Sequence, residues 1–220
     1  MISIKNLTKM YGDKTIYSNF NLDIPERQIL VILGESGSGK TTLLNVLANI
    51  TDYEGEITGN ITPVSMVFQK DYLVPNLTVE ENLKLVCNEK DALCGLEYAG
   101  LLNSAKSYPK SLSAGMSRRV ALLRGVLADA SLLLMDEPTS SLDIKWKMAM
   151  DKFIHCNKND KTIVVVTHDI EEALALADTV MVLRNGRIVY SYYFNSVPFT
   201  RDITGKECNE IREELIRRLI

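Results

Sequence analysis

The residues with the clearest chemical capacity are Gly34-Glu35-Ser36-Gly37-Ser38-Gly39-Lys40-Thr41, followed by Thr42. Their spacing is that of a phosphate-binding P-loop, and they follow an apolar run, Gln28 to Leu33, and precede a predicted helix from Lys40 to about Asn49. The glycines let successive backbone N–H groups curl around an anion, and the helix N-terminus adds positive potential. Lys40 is then expected to reach the β- and γ-phosphates of a bound nucleotide. The Thr41 hydroxyl is expected to ligate Mg²⁺, with Thr42 within reach of the α-phosphate.

A second candidate is Leu132-Leu133-Leu134-Met135-Asp136-Glu137, a buried-strand pattern that ends in two carboxylates. If this strand lies beside the P-loop strand, Asp136 comes close to the waters of the metal. Glu137 is then free to act as the general base that polarises the attacking water.

These residues need a scaffold, and the chain supplies the pattern of one. Alternating segments up to Ile24 predict a small antiparallel layer, and Gln28 to Leu33 a buried parallel strand. Strands are expected again at Val64 to Phe68, Leu132 to Met135, Ile163 to Val166 and Val180 to Leu183, with a helix from Ile170 to Ala177. Between about Thr78 and Asp129 the β-branched runs give way to helix formers, which predicts a helical insertion. Asn185-Gly186 predicts a closing hairpin, and apolar residues at helical spacing from Glu207 to Ile220 predict a terminal helix. The order is that of an α/β sheet.

Bulk properties narrow the function classes. With 220 residues, 46% hydrophobic and 24% charged, the chain can bury a core without metal or disulfide support. A net charge of -3, with scattered Lys and Arg, points away from nucleic acid. Cys87, Cys94, Cys156 and Cys208 lack metal-ligand spacing and suit a reducing compartment. The N-terminal residues do not read as a signal peptide, and no apolar run approaches the roughly 20 residues that span a bilayer. A membrane role therefore has to come through a partner.

Leu112-Ser113-Ala114-Gly115-Met116 makes the reading specific. It resembles the signature motif of ATP-binding cassette (ABC) ATPases, and Arg119, Val120, Leu122 and Leu123 follow it as in that family. Ala114 stands where the usual motif has glycine, and Met116 where glutamine is commoner. Tyr11, Gln69, Ser141-Leu142-Asp143 and His168 fall in the family's order, so the resemblance covers essentially the whole chain. It implies an α/β fold with a P-loop NTPase (RecA-like) core sheet, an N-terminal antiparallel β-subdomain and an inserted helical subdomain at about 72–130, all in one nucleotide-binding domain, 1–220. ATP and Mg²⁺ are the implied cofactors.

Within that resemblance Tyr11 stacks on adenine, and Gln69 reaches Mg²⁺ or the water. His168 holds the γ-phosphate and organises Glu137. Ser113 and Gly115 act on ATP held by a second copy, and Asp143 either communicates across that dimer or simply caps the helix near Ile144. The implied partners are a second ATPase subunit, a transmembrane permease and, in an importer, an extracytoplasmic substrate-binding protein. Tyr72, Leu73 and Val74 are expected either to dock the permease or to pack under the insertion. The implied location is cytoplasmic, on the inner face of the membrane. The chain looks most like ATPases of nitrate, sulfonate, taurine and bicarbonate importers; short cassettes of exporters or lipoprotein-release systems and soluble non-transport ABC ATPases are the competing readings.

Overall fold

In the computed structural model, which describes residues 1–198 and 201–219, two sheets and a set of helices enclose two continuous apolar layers. The first sheet has the order β2-β1-β4, built from β1 (Ile2–Tyr11), β2 (Lys14–Ile24) and β4 (Glu54–Thr58). All its pairings are antiparallel, with Ile2 opposite Ile24, Ile4 opposite Leu22 and Leu7 opposite Phe20. These apolar residues are buried and their alternate neighbours are mostly exposed, the period-2 pattern of a sheet with one wet face.

The second sheet has six strands in the order β5-β6-β7-β3-β8-β9. These are β3 (Ile29–Leu33), β5 (Val64–Val67), β6 (Leu132–Asp136), β7 (Thr162–Thr167), β8 (Thr179–Arg184) and β9 (Arg187–Tyr193). All pair in parallel except β9, which returns antiparallel along β8. The turn between β8 and β9 places Asn185 and Gly186 both at positive φ, as a two-residue hairpin of their type requires.

Because the central strands are covered on both faces, they read as unbroken apolar runs. Leu30, Ile32, Leu132, Leu134, Val164 and Val166 face the antiparallel sheet and α1 (Lys40–Leu47). Their alternates, including Val31, Leu33, Leu133, Met135, Ile163 and Val165, face the helical layer. One expectation needs correction. The strand that ends in Asp136 is not beside the P-loop strand, because β7 lies between β6 and β3. Asp136 meets the P-loop instead through α1, which packs across β6 and β7.

The middle of the chain folds into α2 (Val79–Lys84), α3 (Glu89–Tyr98) and α4 (Ala114–Leu127), with two short 3-10 turns between α3 and α4. Thr78 and Glu81 form a reciprocal capping box at the start of α2, and Asn88 caps α3. Buried Asn82 accepts from the Val74 N–H and donates to the carbonyls of Val74, Leu77 and Thr78, fixing the loop that enters α2. At its far end α4 reaches the main sheet. A Cβ on Gly125 would stand 2.2 Å from Val67 Cγ2, so only glycine allows that approach.

Helices α5 (Ile144–Cys156), α6 (Ile170–Leu176) and α7 (Lys206–Leu219) complete the helical layer. The expected terminal helix is present, with Ile211 and Leu215 buried; Ile220 lies outside the described residues. Among the described residues no helix is long and apolar enough to cross a membrane.

Asp151 of α5 is buried, and its Oδ1 has no hydrogen-bond partner among the described residues. Burial first, then the neighbouring carboxylates Glu172 and Asp169 against the pull of Lys147, push its pKa well above the usual carboxylate range. A raised folded-state value means stability is lost as pH rises from the unfolded value, about 3.9, through the folded one. Asp151→Asn removes that loss. The Asn chain is expected to be the more stable at about pH 8, with the gap closing toward about pH 4. Thermal unfolding across that range checks it; a gap that does not depend on pH would refute the assignment.

Candidate functional site

The C-terminal ends of β3, β6 and β7 open on one edge of the main sheet, where α/β folds place their ligands. The loop after β3 runs from Gly34 to Gly39 and delivers Lys40 and Thr41 at the first turn of α1. Its glycines answer to separate demands. A Cβ on Gly34 would lie 2.5 Å from the Leu183 carbonyl oxygen, and Gly39, at φ +110, would place one 2.8 Å from the Tyr17 hydroxyl. Gly37 faces open space, and there it is the backbone conformation, φ +81, that favours glycine.

The loop is also held from outside by residues that sequence reasoning did not single out. The Tyr17 hydroxyl donates to the Gly39 carbonyl at 2.9 Å, and its burial pushes the phenol well above its usual range. The Gly186 N–H of the hairpin lies 3.4 Å from the Ser38 carbonyl it faces. Neither contact has a local sequence signal, since each joins segments distant in the chain.

Beside the loop is a cavity of about 300 Å³. Ser36, Gly37, Gly39, Lys40, Thr41 and Thr42 form one wall, and Gln69, Asp136, Glu137 and His168 another; Tyr11 stands at its side with Lys14 and Ile16. Of the candidates in the phosphate loop, Gly34, Glu35 and Ser38 do not line it; Glu35 and Ser38 border a smaller crevice near Arg184 and Arg218. Tyr11 is half exposed, with the Lys9 ammonium 4.7 Å from its ring centroid.

The Thr41 hydroxyl donates to Asp136 Oδ2 at 2.8 Å. Burial pushes the Asp136 carboxyl up, opposed by this hydrogen bond. A hydroxyl and a carboxylate at this separation are hard oxygen donors, which Mg²⁺ prefers, and the Gln69 amide lines the same space. The residues therefore fit the metal. Lys40 is buried, and Nζ donates to the carbonyls of Gly34 and Glu35, at 3.0 Å for the latter. Desolvation lowers its pKa, while Glu137 and Asp136 act to raise it.

Glu137 Oε1 lies 2.9 Å from His168 Nδ1. An ionised carboxylate can only accept, so Nδ1 carries the hydrogen of this bond. The Glu137 backbone has φ 47, a left-handed conformation uncommon for a side chain of its kind.

The signature residues lie elsewhere. Ser113 caps α4, its side chain accepting from the Met116 N–H at 3.3 Å, and exposed Ala114 is the first helical residue. Nothing in that setting demands glycine, so the departure from the usual motif carries no backbone strain. Arg119 donates to the Gly115 carbonyl and stacks on Trp146, its guanidinium 3.9 Å from the ring centroid. Asp143 caps α5 by accepting from the Trp146 N–H, and Leu142 is the nearest neighbour of a Cβ built on Gly115. None of Ser113, Ala114, Gly115, Met116, Ser141, Leu142 or Asp143 lines the cavity.

The family model of the ABC transporter matches residues 17–140 of this chain. The chain belongs to the ABC transporter family. Among relatives of this ABC cassette is the aliphatic sulfonates import ATP-binding protein SsuB 1 of Paracoccus denitrificans, 36% identical over 99% of this chain and 93% of that protein. SsuB 2 of Rhodococcus jostii is also 36% identical, over 99% of this chain and 92% of its own. Of solved structures, the dimeric post-hydrolysis state of the ATP-binding cassette MJ0796 bound to ADP and Pi superposes with a TM-score of 0.80. It is 30% identical and covers 90% of this chain and 100% of that one. As an ABC cassette the protein is an ATP hydrolase that uses Mg²⁺.

Proposed function

We propose that two copies of this chain close head to tail around two Mg·ATP and drive import of a small anionic or organic solute through a separate permease. The supporting observation is the division of the site. One chain gathers the P-loop, Thr41 with Asp136, and Glu137 with His168 around one cavity, while Ser113 and Gly115 stand away from it. A second copy that presents those residues would complete each site.

In this reading Tyr11 stacks on adenine, the P-loop and Lys40 hold the phosphates, and Thr42 reaches the α-phosphate. Thr41, Gln69 and, through water, Asp136 hold Mg²⁺, which when bound neutralises charge on the phosphates. Glu137 takes the proton of the attacking water, and His168 fixes the γ-phosphate and orients Glu137. Ser113 and Gly115 close over the partner's nucleotide, and the loop Ser141 to Asp143 beside them transmits between copies.

The sulfonate-import names of the relatives support an organic anion as solute, and in an importer an extracytoplasmic binding protein would be the third partner. The chain would then sit on the cytoplasmic face of the membrane. The permease would be met at Tyr72 and Val74, which are exposed, whereas Leu73 packs against the core. Replacing Tyr72 and Val74 together by Glu is expected to reduce permease recovered with the tagged chain by about tenfold or more, as desolvating a charge in an apolar interface demands. Mg·ATP binding by the isolated chain stays, since neither residue lines the cavity. Undiminished recovery of the permease would rule out this docking surface.

A further inference from the structure

Arg118 is among the most deeply buried side chains of the molecule, 2% exposed, on α4 five residues beyond Ser113. Its guanidinium is turned toward the nucleotide site from behind. Nε donates to the Pro138 carbonyl at 2.7 Å, and Nη2 to those of Asp136 and Glu137 at 3.0 and 2.8 Å. Nη1 donates to the Phe68 carbonyl at 2.6 Å and faces the Gln69 carbonyl and Asp71 Oδ1, both at 3.3 Å.

These acceptors belong to two segments remote in sequence. One carries Gln69 into the cavity and the other carries Asp136 and Glu137. Arg118 holds both segments where regular pairing ends: β5 has ended at Val67, Asp136 is the last residue of β6, and Glu137 has just turned into its left-handed conformation. Carbonyls released there from strand pairing need another donor, because an unpaired buried acceptor is costly. A planar fork of five N–H groups can serve both segments at once; an ammonium on a flexible stem cannot match that geometry. Among the described residues Asp71 is the one carboxylate within ion-pair distance of the cation, and peptide carbonyls supply most of its hydrogen-bond partners.

We propose that Arg118 is a positioning residue for hydrolysis, which sets the separation and aim of Gln69 and Glu137 from behind while touching neither nucleotide nor metal. The inference rests on the reading of Gln69 and Glu137 given under Proposed function.

The test is steady-state hydrolysis and equilibrium Mg·ATP binding by full-length chains carrying Arg118→Met, Arg118→Gln or Arg118→Lys, beside the unaltered protein. Misaiming a catalytic group by about an ångström costs on the order of 10²-fold, so Arg118→Met is expected to lower kcat by about that factor. KM and the binding constant for Mg·ATP should change by less than about threefold, because the P-loop grip is untouched. Lys, which keeps charge and donors without the fork, should recover part of the loss, and Gln, which keeps two neutral donors, less.

A wild-type kcat in Arg118→Met overturns the inference. So does a parallel fall in kcat, nucleotide affinity and thermal stability across all three variants, which would mark a purely structural residue. If Arg118→Met does not fold, the order Arg above Lys above Gln in kcat at constant binding decides the matter, and equal kcat values refute it. Failure of the unaltered protein to bind Mg·ATP would strike at the site reading itself, and is thereby distinct.

Discussion

Replacing Glu137 with Gln is expected to leave Mg·ATP bound and to lower hydrolysis by about 10²–10⁴-fold, the usual contribution of a positioned general base. The amide matches the carboxylate in shape but cannot take a proton from water. Its side-chain oxygen can still accept from His168 Nδ1, the contact that spans 2.9 Å in the native chain. The backbone at φ 47 is no worse for Gln than for Glu, so the fold should not change. Binding should also survive, because the phosphate grip belongs to Lys40 and the loop before it. Single-turnover hydrolysis and equilibrium nucleotide binding measure the two halves of this expectation. A variant that hydrolyses ATP at the native rate would remove Glu137 from the chemistry, and one that no longer binds would show that Glu137 is part of the grip.

Lys40→Ala should do the reverse, with affinity for Mg·ATP falling first. Lys40 is 8% exposed, and its ammonium already bridges the carbonyls of Gly34 and Glu35. It therefore both shapes the loop and faces the place of the phosphates. Loss of one or two charge-assisted hydrogen bonds, about 1.5–3 kcal/mol each, corresponds to an affinity at least about tenfold and up to on the order of 10⁴-fold weaker. The change also leaves Asp136 and Glu137 without the cation between them and the loop, which adds repulsion toward a triphosphate. Calorimetric titration with Mg·ATP gives the answer directly, and unchanged affinity would end the assignment of this loop to phosphate. Together the two variants separate holding the nucleotide from cutting it.

What could be read from the sequence was whatever has local grammar. The loop from Gly34 to Thr41 declares itself because turn, lysine and hydroxyl must be adjacent to work, and Leu132 to Glu137 because a strand buried on both faces has no polar residue until it ends. Asn185-Gly186 likewise carries its own turn chemistry. Strand order had no such signal, so β7 was not expected between β6 and β3, and Asp136 reaches Thr41 by a route different from the one the pattern suggested. Strand β4 escaped notice because four of its five residues are exposed, which leaves no alternation to detect. Helix α3 falls within the expected helical insertion, but its bounds had no signal, because Gly95 interrupts it and only three of its residues are buried. Arg118 and Tyr17 were invisible for a further reason: each acts on main-chain carbonyls contributed by other segments, and carbonyls have no letter in a sequence.

The sheet order also constrains how the protein is made. Strand β3, which feeds the phosphate loop, is third in the chain, yet its two neighbours are β7 and β8, which begin at Thr162 and Thr179. While the ribosome is still adding those residues, Ile29 to Leu33 have nothing to pair with on either side. An emerging chain therefore acquires a formed nucleotide grip only once β7 and β8 have both emerged, and until then it exposes an apolar strand with two bare edges, open to wrong pairing.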